Sequence, residues 1–459
     1  MSSREPNEQL RGVITTAGLT YDATARLVRL IAAECGETLR TNKSAVAHWV
    51  GGTPPSPATT RYLATALERR LGRPVTPADL GLADRQEDET GIDLSNEGDP
   101  IDSLLPLWRS EVDLNRRRFL TSSAYSVAAA ALPLTAGQEA AGRVHAVRTS
   151  GAVVGMAEVN AVRDMIQMMT EIDERHGGQH GRTALAQYLH DDVAPLCRAR
   201  CRTEEVQREM LSAASRGVHL LGWKAYDSGQ QGLAQAYYLQ SYRLAAEAGI
   251  PGQDGFVMRT MAMQGLKIHR PEHCLSLAEE GLRRARGRVD AATEAMFLVV
   301  HAHALAKAGQ GRAALAGTER AARLLEGAPG DPVQFWGLTW GPPAASVHSR
   351  TAKVHETLGD HQAAALHYAR AAAARPEPHA RIVALDLVAG GEMQLRQGGI
   401  EQACESWGRA LDHLDGIRST RAVKALHSIR RDLRRFRARG VRCAVELDER
   451  TAELLTTVT

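Results

Sequence analysis

Aromatic residues are scarce in this chain of 459 residues: they make up 4% of it, whereas hydrophobic residues as a class make up 44%. Strands draw on aromatic and β-branched side chains, so this shortage argues against a β-protein. Alanine-rich runs at 128–131 and 371–374 favour helices instead. The composition therefore predicts an all-α protein, and the length predicts two or more domains.

Cysteine, net charge and catalytic motifs are lacking as well. The six cysteines form no paired framework and follow no leader, so we expect a reducing cytoplasm and no structural disulfides. The formal net charge of +3 is too close to neutral to indicate a nucleic-acid partner by itself. No serine lies in a GxSxG elbow and no glycine-rich phosphate loop is present, so the sequence predicts no enzyme, no catalytic residue and no cofactor.

A long apolar segment is also missing, and the nearest approach to an export signal is internal. Residues 115–120 read NRRRFL, a twin-arginine pattern, and precede an alanine-rich run that ends at Leu134. Ser126 and Pro133 interrupt that run, which is shorter than the ~20 residues that span a bilayer. We expect neither export nor a membrane partner, and interpret NRRRFL as the start of a helix between two domains.

Possible metal ligands are scattered rather than clustered. Cys197 and Cys201 share a helical face, and His176, His180 and His190 lie upstream. Zinc sites usually use close CxxC or HxxxH pairs, whereas HGGQH at 176–180 resembles a flexible joint. We therefore predict no metal site.

Residues 7–82 are predicted to form a compact bundle of short helices joined by polar turns that contain glycine and proline. The third helix starts near Thr41 and stops at Gly51. Its apolar side, which should face the core, carries Val46, Trp49 and Val50.

The opposite side of the third helix carries Thr41, Ser44, Ala47 and His48. This face is small, polar and flat. It suits a helix that enters the DNA major groove, because bulky apolar groups would block the approach whereas short polar groups reach base edges. Arg40, Lys43 and Arg61 are expected to contact the phosphate backbone. The alternative interpretation is an ordinary solvated helix face.

Two runs in this N-terminal region carry a resemblance. TNKSAVAHWVGG at 41–52 and YLATALERRLGRPVTPADLGL at 62–82 resemble the recognition helix and the following segment of lambda-repressor-type (XRE-like) domains in actinobacterial regulators. The resemblance implies a helix-turn-helix fold and a double-stranded DNA operator as partner. It also implies that the third helix reads the operator.

From residue 204 onward the sequence repeats, at intervals of 40, 40, 50 and 39 residues. The first small residues of the repeats are Gly222, Ala262, Ala302, Ala352 and Gly391. Twelve positions later come Ala234, Cys274, Ala314, Ala364 and Ala403, and seven further on Ser241, Gly281, Ala321, Ala371 and Ala410. This pattern is typical of tetratricopeptide-like repeats, in which small residues let paired helices cross closely. Bulky partners at the matching position of the second helix are Tyr238, Tyr368 and Trp407, whereas Ala278 and Thr318 weaken the pattern in the middle repeats.

The repeats extend the same resemblance. LGWKAYDSGQQGLAQAYYLQSYRLAAEAG at 221–249 is similar to the sensor region of those actinobacterial regulators, several of which are negative regulators of sporulation and antibiotic production. The resemblance thus implies a regulator of development or secondary metabolism, and leaves the ligand open.

The 50-residue repeat contains an insertion, GDPVQFWGLTWGP, that places three aromatic residues in a loop. Phe335, Trp336 and Trp340, together with Tyr238, are candidate ligand-binding residues, because solenoids usually bind on their concave surface. The alternative is that these rings fill the gap beneath a longer loop. Met258, Met261 and Met263 are expected to fill the core.

Charge is unevenly distributed. Residues 1–82 carry a net charge of +3, residues 83–113 contain ten acids against two bases, and residues 418–442 contain ten bases against one acid. The basic C-terminal helix has three interpretations: a solvated cap on the solenoid, which we favour, a dock for the acidic linker, or an auxiliary phosphate contact.

The predicted domains are a helix-turn-helix at 1–82, an acidic linker at 83–114, connecting helices at 115–203, repeats at 204–417 and basic capping helices at 418–459. A single helix-turn-helix buries little DNA surface, so we expect a homodimer. The sequence predicts a cytoplasmic transcriptional regulator whose repeats dimerise and sense a peptide or small molecule. The rival is an interaction scaffold with a degenerate helix-turn-helix.

Overall fold

The computed structural model describes residues 6–34, 39–71, 75, 79–82, 99–112, 153–177, 180–327, 333–337, 342–375, 379–417 and 419–458. These residues form an all-α protein, a helical bundle followed by a solenoid of helical repeats. No β-strand occurs among them, and one isolated parallel bridge joins Val154 to Cys201. The predicted fold class is confirmed.

The N-terminal bundle, called the head below, contains α1 (Glu8–Thr16), α2 (Tyr21–Glu34), α3 (Lys43–Val50) and α4 (Pro57–Leu71). Apolar residues from all four helices form one separate core: Leu10, Ile14, Val28, Ile31, Val46, Trp49, Leu63 and Leu67 are among its buried members. The segment after α4 also packs on the head, because Asn7 Nδ2 donates to the carbonyl of Leu80 at 2.8 Å.

Between the head and the repeats lie α5 (Pro100–Val112), α6 (Met156–His176), α7 (Arg182–Tyr188) and α8 (Ala194–Arg198), with a π-helical turn at Leu189–Val193. The predicted helix at NRRRFL falls in 113–152, outside the described residues.

Helix α5 corrects the predicted boundary of the acidic linker. Its apolar stripe, Ile101, Leu104, Leu107 and Trp108, is buried in the same core as the first repeats. Ser103 accepts a hydrogen bond from Arg243 at 3.0 Å. Residues 100–112 therefore belong to the repeat domain rather than to a linker ending at 114. The high density of acids in 83–113 led to the interpretation as a linker, although four apolar residues in this range have helical spacing.

Six helical hairpins follow, and we call them repeats 1 to 6. Their paired helices are α9 (Glu204–Asp227) and α10 (Gln231–Ala248), α11 (Gln253–Lys267) and α12 (Cys274–Ala285), α13 (Ala291–Lys307) and α14 (Gly311–Gly327), α15 (Pro343–Leu358) and α16 (His361–Ala373), α17 (Ala380–Arg396) and α18 (Ile400–Asp412), and α19 (Thr420–Arg437) and α20 (Arg442–Val458). A short 3₁₀ turn, Phe335–Gly337, lies between repeats 3 and 4.

All fifteen small residues of the predicted repeat pattern are buried in the structure. A methyl group added to Gly222 would lie 2.6 Å from the ring of Tyr238, and one added to Gly391 would lie 2.5 Å from Nε1 of Trp407. In repeats 1 and 5 the small position of the first helix is therefore where a bulky ring of the second helix packs. The predicted spacing rule is confirmed by these contacts.

The methionines of α11 are also core residues, as expected: Met258, Met261 and Met263 are all buried. At the other end of the solenoid, α19 buries Leu426, Ile429 and Leu433 against the rest of the core. The basic helix thus joins a sixth hairpin. Its outward bases are partly paired within that hairpin, since Arg430 and Arg437 both contact Asp448 of α20.

No helix within the described ranges is both long enough and apolar enough to cross a membrane.

Adjacent glycines in α17 provide a test of the repeat packing. Gly391→Ala forces a methyl group into the Trp407 ring, whereas Gly390→Ala places it 3.4 Å from Cβ of Tyr368, an ordinary contact. Both substitutions gain about 1 kcal/mol of helix propensity. Overpacking costs ~1–3 kcal/mol, so the free energy of unfolding of G391A should be lower than that of G390A by about that amount. Urea unfolding of both variants measures this, and equal stabilities would contradict the packing rule.

Candidate nucleic-acid interface and sensor interior

Helix α3 is anchored to the head by one side and exposed on the other. Val46, Trp49 and Val50 are buried. At its start, Asn42 Oδ1 accepts a hydrogen bond from the backbone N–H of Ala45 at 2.9 Å, which caps the helix. Arg29 of α2 donates to the carbonyl of Thr41 and so ties the preceding segment to the helix pair.

The exposed side of α3 carries most of the predicted DNA-binding residues. Lys43, Ser44, Ala47 and His48 are exposed, and so is Arg40 just before the helix. The first turn contains no acid, so the positive end of the helix dipole stands free to favour phosphate. Short polar groups and a basic helix start therefore share one accessible face.

Two predicted residues of this interface differ from the others. Thr41 is only 8% exposed, so it does not lie on the outward face as predicted. It precedes the helix, and its carbonyl accepts a hydrogen bond from Arg29. Arg61 falls on α4, and its side chain lies outside the described part of the chain.

The candidate ligand residues converge on one region of the repeat domain. Tyr238 lies 5.3 Å from His219, His219 lies 5.7 Å from Phe256, and Phe256 lies 5.4 Å from Trp336, measured between ring centroids. Three guanidiniums lie over these rings: Arg259 over Phe256 at 5.1 Å, and Arg163 and Arg216 over Phe335 at 5.4 Å and 5.8 Å. We call this set the interior cluster: Arg216, His219, Tyr238, Phe256, Arg259, Phe335 and Trp336.

The candidate ligand residues differ in how far they are buried. Tyr238 is 1% exposed and Trp336 is 3% exposed, and both belong to the main core, as the gap-filling alternative expects. Phe335 is half-buried and keeps contact with solvent. Trp340 lies outside the described residues. The structure therefore brings three of the four predicted residues together and leaves Phe335 as the accessible one.

The charged members of the interior cluster are strongly affected by burial. Burial lowers the pKa of Arg216 to about 10, although Glu174 and Asp173 oppose the shift. Burial, assisted by Arg350, lowers the pKa of Arg259 to about 9. Both guanidiniums remain charged at neutral pH. Burial and these two cations hold the pKa of His219 well below its usual value, so its imidazole is neutral.

A second buried group, which sequence reasoning missed, joins the two ends of the repeat domain. We call it the ionic node: Asp173, Glu174, Lys224, Asp227, Arg381 and Arg421. Asp173 of α6 accepts from Lys224 Nζ at 3.1 Å and from Arg381 Nη2 at 2.8 Å. Arg381 Nη1 also reaches Asp227 at 3.1 Å, and Arg421 of α19 lies 3.6 Å from the same carboxylate.

The node places three acids, Asp173, Glu174 and Asp227, beside three bases, Lys224, Arg381 and Arg421. Asp173, Lys224 and Arg381 are all fully buried. Although burial opposes it, Arg381 and Lys224 hold the pKa of Asp173 below its usual value. Burial raises the pKa of Glu174 to about 7, despite Arg381 nearby. Lys224 and Asp227 lay in the stretch 221–249 and Arg421 in the basic stretch 418–442, both of which the sequence had singled out. Asp173, Glu174 and Arg381 lay in neither stretch, and Asp173 and Arg381 are 208 residues apart in the chain.

The residues considered as metal ligands do not form a cluster. Cys197 is buried, and His190 Nδ1 pairs with Asp191 at 2.6 Å. Across the described ranges, no group of three or more His, Cys, Asp or Glu residues is placed to hold a metal ion.

Comparison with known proteins adds one finding about the head. Residues 10–83 match the family model described as the SP15 N-terminal domain, so the head is similar to that domain. The match ends close to the predicted boundary at residue 82. No curated protein matches the chain.

The ionic node predicts a large cost for a single neutralisation. Asp173→Asn should lower the free energy of unfolding by about 3–5 kcal/mol, because the amide leaves Lys224 and Arg381 buried with too little negative charge. Asp412→Asn is the matched control, since Asp412 pairs with Arg450 at the surface and is 60% exposed. Its loss should cost at most about 0.5 kcal/mol in the same urea titration. Similar small effects at both positions would show that the node does not support the fold.

The raised pKa of Glu174 predicts a pH-dependent stability. The folded protein holds this proton up to about pH 7, whereas the unfolded chain releases it near pH 4.5. Glu174 therefore contributes a loss of stability as the pH rises through this window, and Glu174→Gln removes that contribution. At pH 8 the Gln variant should be more stable by about 1–3 kcal/mol, and at pH 4.5 the difference should largely vanish. Denaturation at both pH values, with the exposed Glu446→Gln as control, tests this. A pH-independent difference would contradict the assignment.

Proposed function

We propose that this protein is a DNA-binding transcriptional regulator of development or secondary metabolism, in which the head binds operator DNA and the repeat domain senses a ligand. The exposed face of α3 carries the proposal. It combines Ser44, Ala47 and His48 with a basic, acid-free helix start, while its opposite side is fixed in the core. A helix held in this way presents short donors and acceptors to base edges and its N-terminus to phosphate. We assign it no catalytic role.

The separate cores of head and repeat domain support a division of labour. The head has its own cluster of buried residues, and the repeat domain encloses the interior cluster of rings and guanidiniums. A regulator needs one surface for DNA and a second site whose occupancy alters the first. We propose a cytoplasmic homodimer, because two heads on half-sites about 34 Å apart supply the specificity that one head lacks.

A genome-wide immunoprecipitation tests the DNA-binding role. Discrete peaks with palindromic half-sites would support the proposal. Strong co-purification of proteins without DNA enrichment would instead favour the alternative, a scaffold whose repeats hold a protein partner.

The residues of α3 can then be tested on the recovered operator. Ser44→Ala with His48→Ala should reduce the preference for operator over unrelated DNA about tenfold or more, because each lost base contact removes roughly 1–3 kcal/mol of discrimination. The fold should survive, since both side chains are exposed. Competition gel shifts measure the preference. Thr15→Ala with Thr16→Ala, on the exposed face of α1, is the control and should bind as wild type.

Trp49→Ala separates folding from recognition in the same assay. Because Trp49 is buried in the head core, its loss should cost ~3–5 kcal/mol and abolish all DNA binding. A Ser44/His48 variant that binds its operator like wild type would refute the assignment of this face.

A further inference from the structure

Two buried arginines of the interior cluster form no ion pair with a carboxylate among the residues that the structure describes. Arg216 is 2% exposed and Arg259 is 1% exposed, and neither forms an ion pair with any described residue. Arg216 Nη2 donates to Thr170 Oγ1 at 3.3 Å, and Arg259 Nε donates to the carbonyl of Met296 at 2.8 Å. Nε and Nη1 of Arg216 and Nη1 of Arg259 have no hydrogen-bond partner within the described part of the chain.

Two other buried arginines of this protein are paired directly with carboxylates. Arg381 is fully buried and contacts three carboxylates, and Arg375 pairs with Asp386. An arginine cannot escape the cost of burial by losing its proton, and an uncompensated buried charge costs several kcal/mol. Arg216 and Arg259 therefore hold donors with no partner among the described residues, and no described carboxylate pairs directly with either guanidinium, which is what a site for an anion requires.

The two arginines act on one place. Both lie close enough to His219 to lower its pKa, and the His219 ring shares a hydrogen bond of 3.0 Å with Thr260 Oγ1. Flat apolar surface adjoins each guanidinium, because Arg259 lies over Phe256 and Arg216 lies over Phe335. The 3₁₀ turn that carries Phe335 forms the outer side of the cluster, and Phe335 is its half-buried, solvent-contacting ring.

We propose that the interior cluster binds a ligand that carries an anionic group, a carboxylate or a phosphate, on a flat apolar body. Arg216 and Arg259 pair with the anion, and the rings of Phe256, Phe335 and Trp336 contact the apolar body. Such a ligand enters by displacing the Phe335 ring from Arg216. Only the statement that this ligand is the effector of DNA binding rests on the proposed function; the site itself does not.

Three small probes of similar shape test the chemistry on the full-length protein: phenyl phosphate, phenylacetate and the uncharged phenylacetamide. At about ten times its Kd, an anionic probe should raise the Tm by ~2–4 °C, and phenylacetamide should leave the Tm unchanged. Calorimetric titration gives the affinities, and a larger effect of phenyl phosphate or of phenylacetate identifies which anion the site prefers. Equal responses to the amide and the anions, or no response to any probe at 20 mM, would overturn the proposal.

Variants locate the binding. Arg216→Met and Arg259→Met should each weaken the binding of the anionic probes at least tenfold. Arg283→Met, at a surface arginine whose side chain is 69% exposed, should keep the wild-type affinity. Without probe, R259M should be no less stable than wild type, because methionine removes an unpaired buried charge. If R216M does not fold, the affinity of R259M for the anionic probes is sufficient to test the site. Wild-type affinity in R259M would place the binding elsewhere and refute the site.

The DNA assay is a separate measurement, so that failure of the proposed anion site can be distinguished from failure of the proposed regulatory function. Operator affinity is measured by gel shift with and without the preferred anionic probe. Probe binding that changes operator affinity supports both the site and its role as the effector site. Probe binding that leaves operator affinity unchanged supports the anion site and contradicts its role in regulation.

Discussion

The buried contact between Asp173 and Arg381 is the constraint on which the repeat domain depends. It joins α6, which precedes the repeats, to α17 of repeat 5, and Lys224 and Asp227 of repeat 1 complete the arrangement. A solenoid whose repeats touch only their neighbours can change curvature by small rotations. Here the early and late repeats meet through charges that lose several kcal/mol if separated while buried, so these contacts favour one curvature of the domain.

Paired helices cross closely in several of the repeats. Gly222 and Gly391 admit the rings of Tyr238 and Trp407 at distances that a methyl group would forbid. Gly255 and Gly281 likewise let α11 and α12 approach backbone to backbone, since a methyl group on either would lie 2.7 Å from the other's carbonyl oxygen. Small residues therefore set the close approach of the paired helices in these three hairpins.

The interior cluster lies next to the ionic node, so a ligand bound in the cluster is physically connected to the contacts between early and late repeats. Arg216 contacts Thr170 of α6, and Asp173 and Glu174 of the node influence its pKa. An anion beside Arg216 competes with these acids for the same positive charge. A ligand can bias the curvature only if it binds two arrangements unequally, and a shared arginine is a physical means of doing so.

The sequence by itself determined the helices, the repeat spacing and the core-facing side of α3, because these depend on periodicities of a few residues. It also pointed to Phe335, Trp336 and Tyr238, but could not separate the half-buried ring from the buried ones. Tertiary structure alone decided that residues 100–112 join the repeat domain, that Asp173 meets Arg381, and that Arg216 and Arg259 have no carboxylate partner among the described residues. Pairing of buried charges depends on residues up to 208 positions apart, and no local pattern encodes which acid will reach which base.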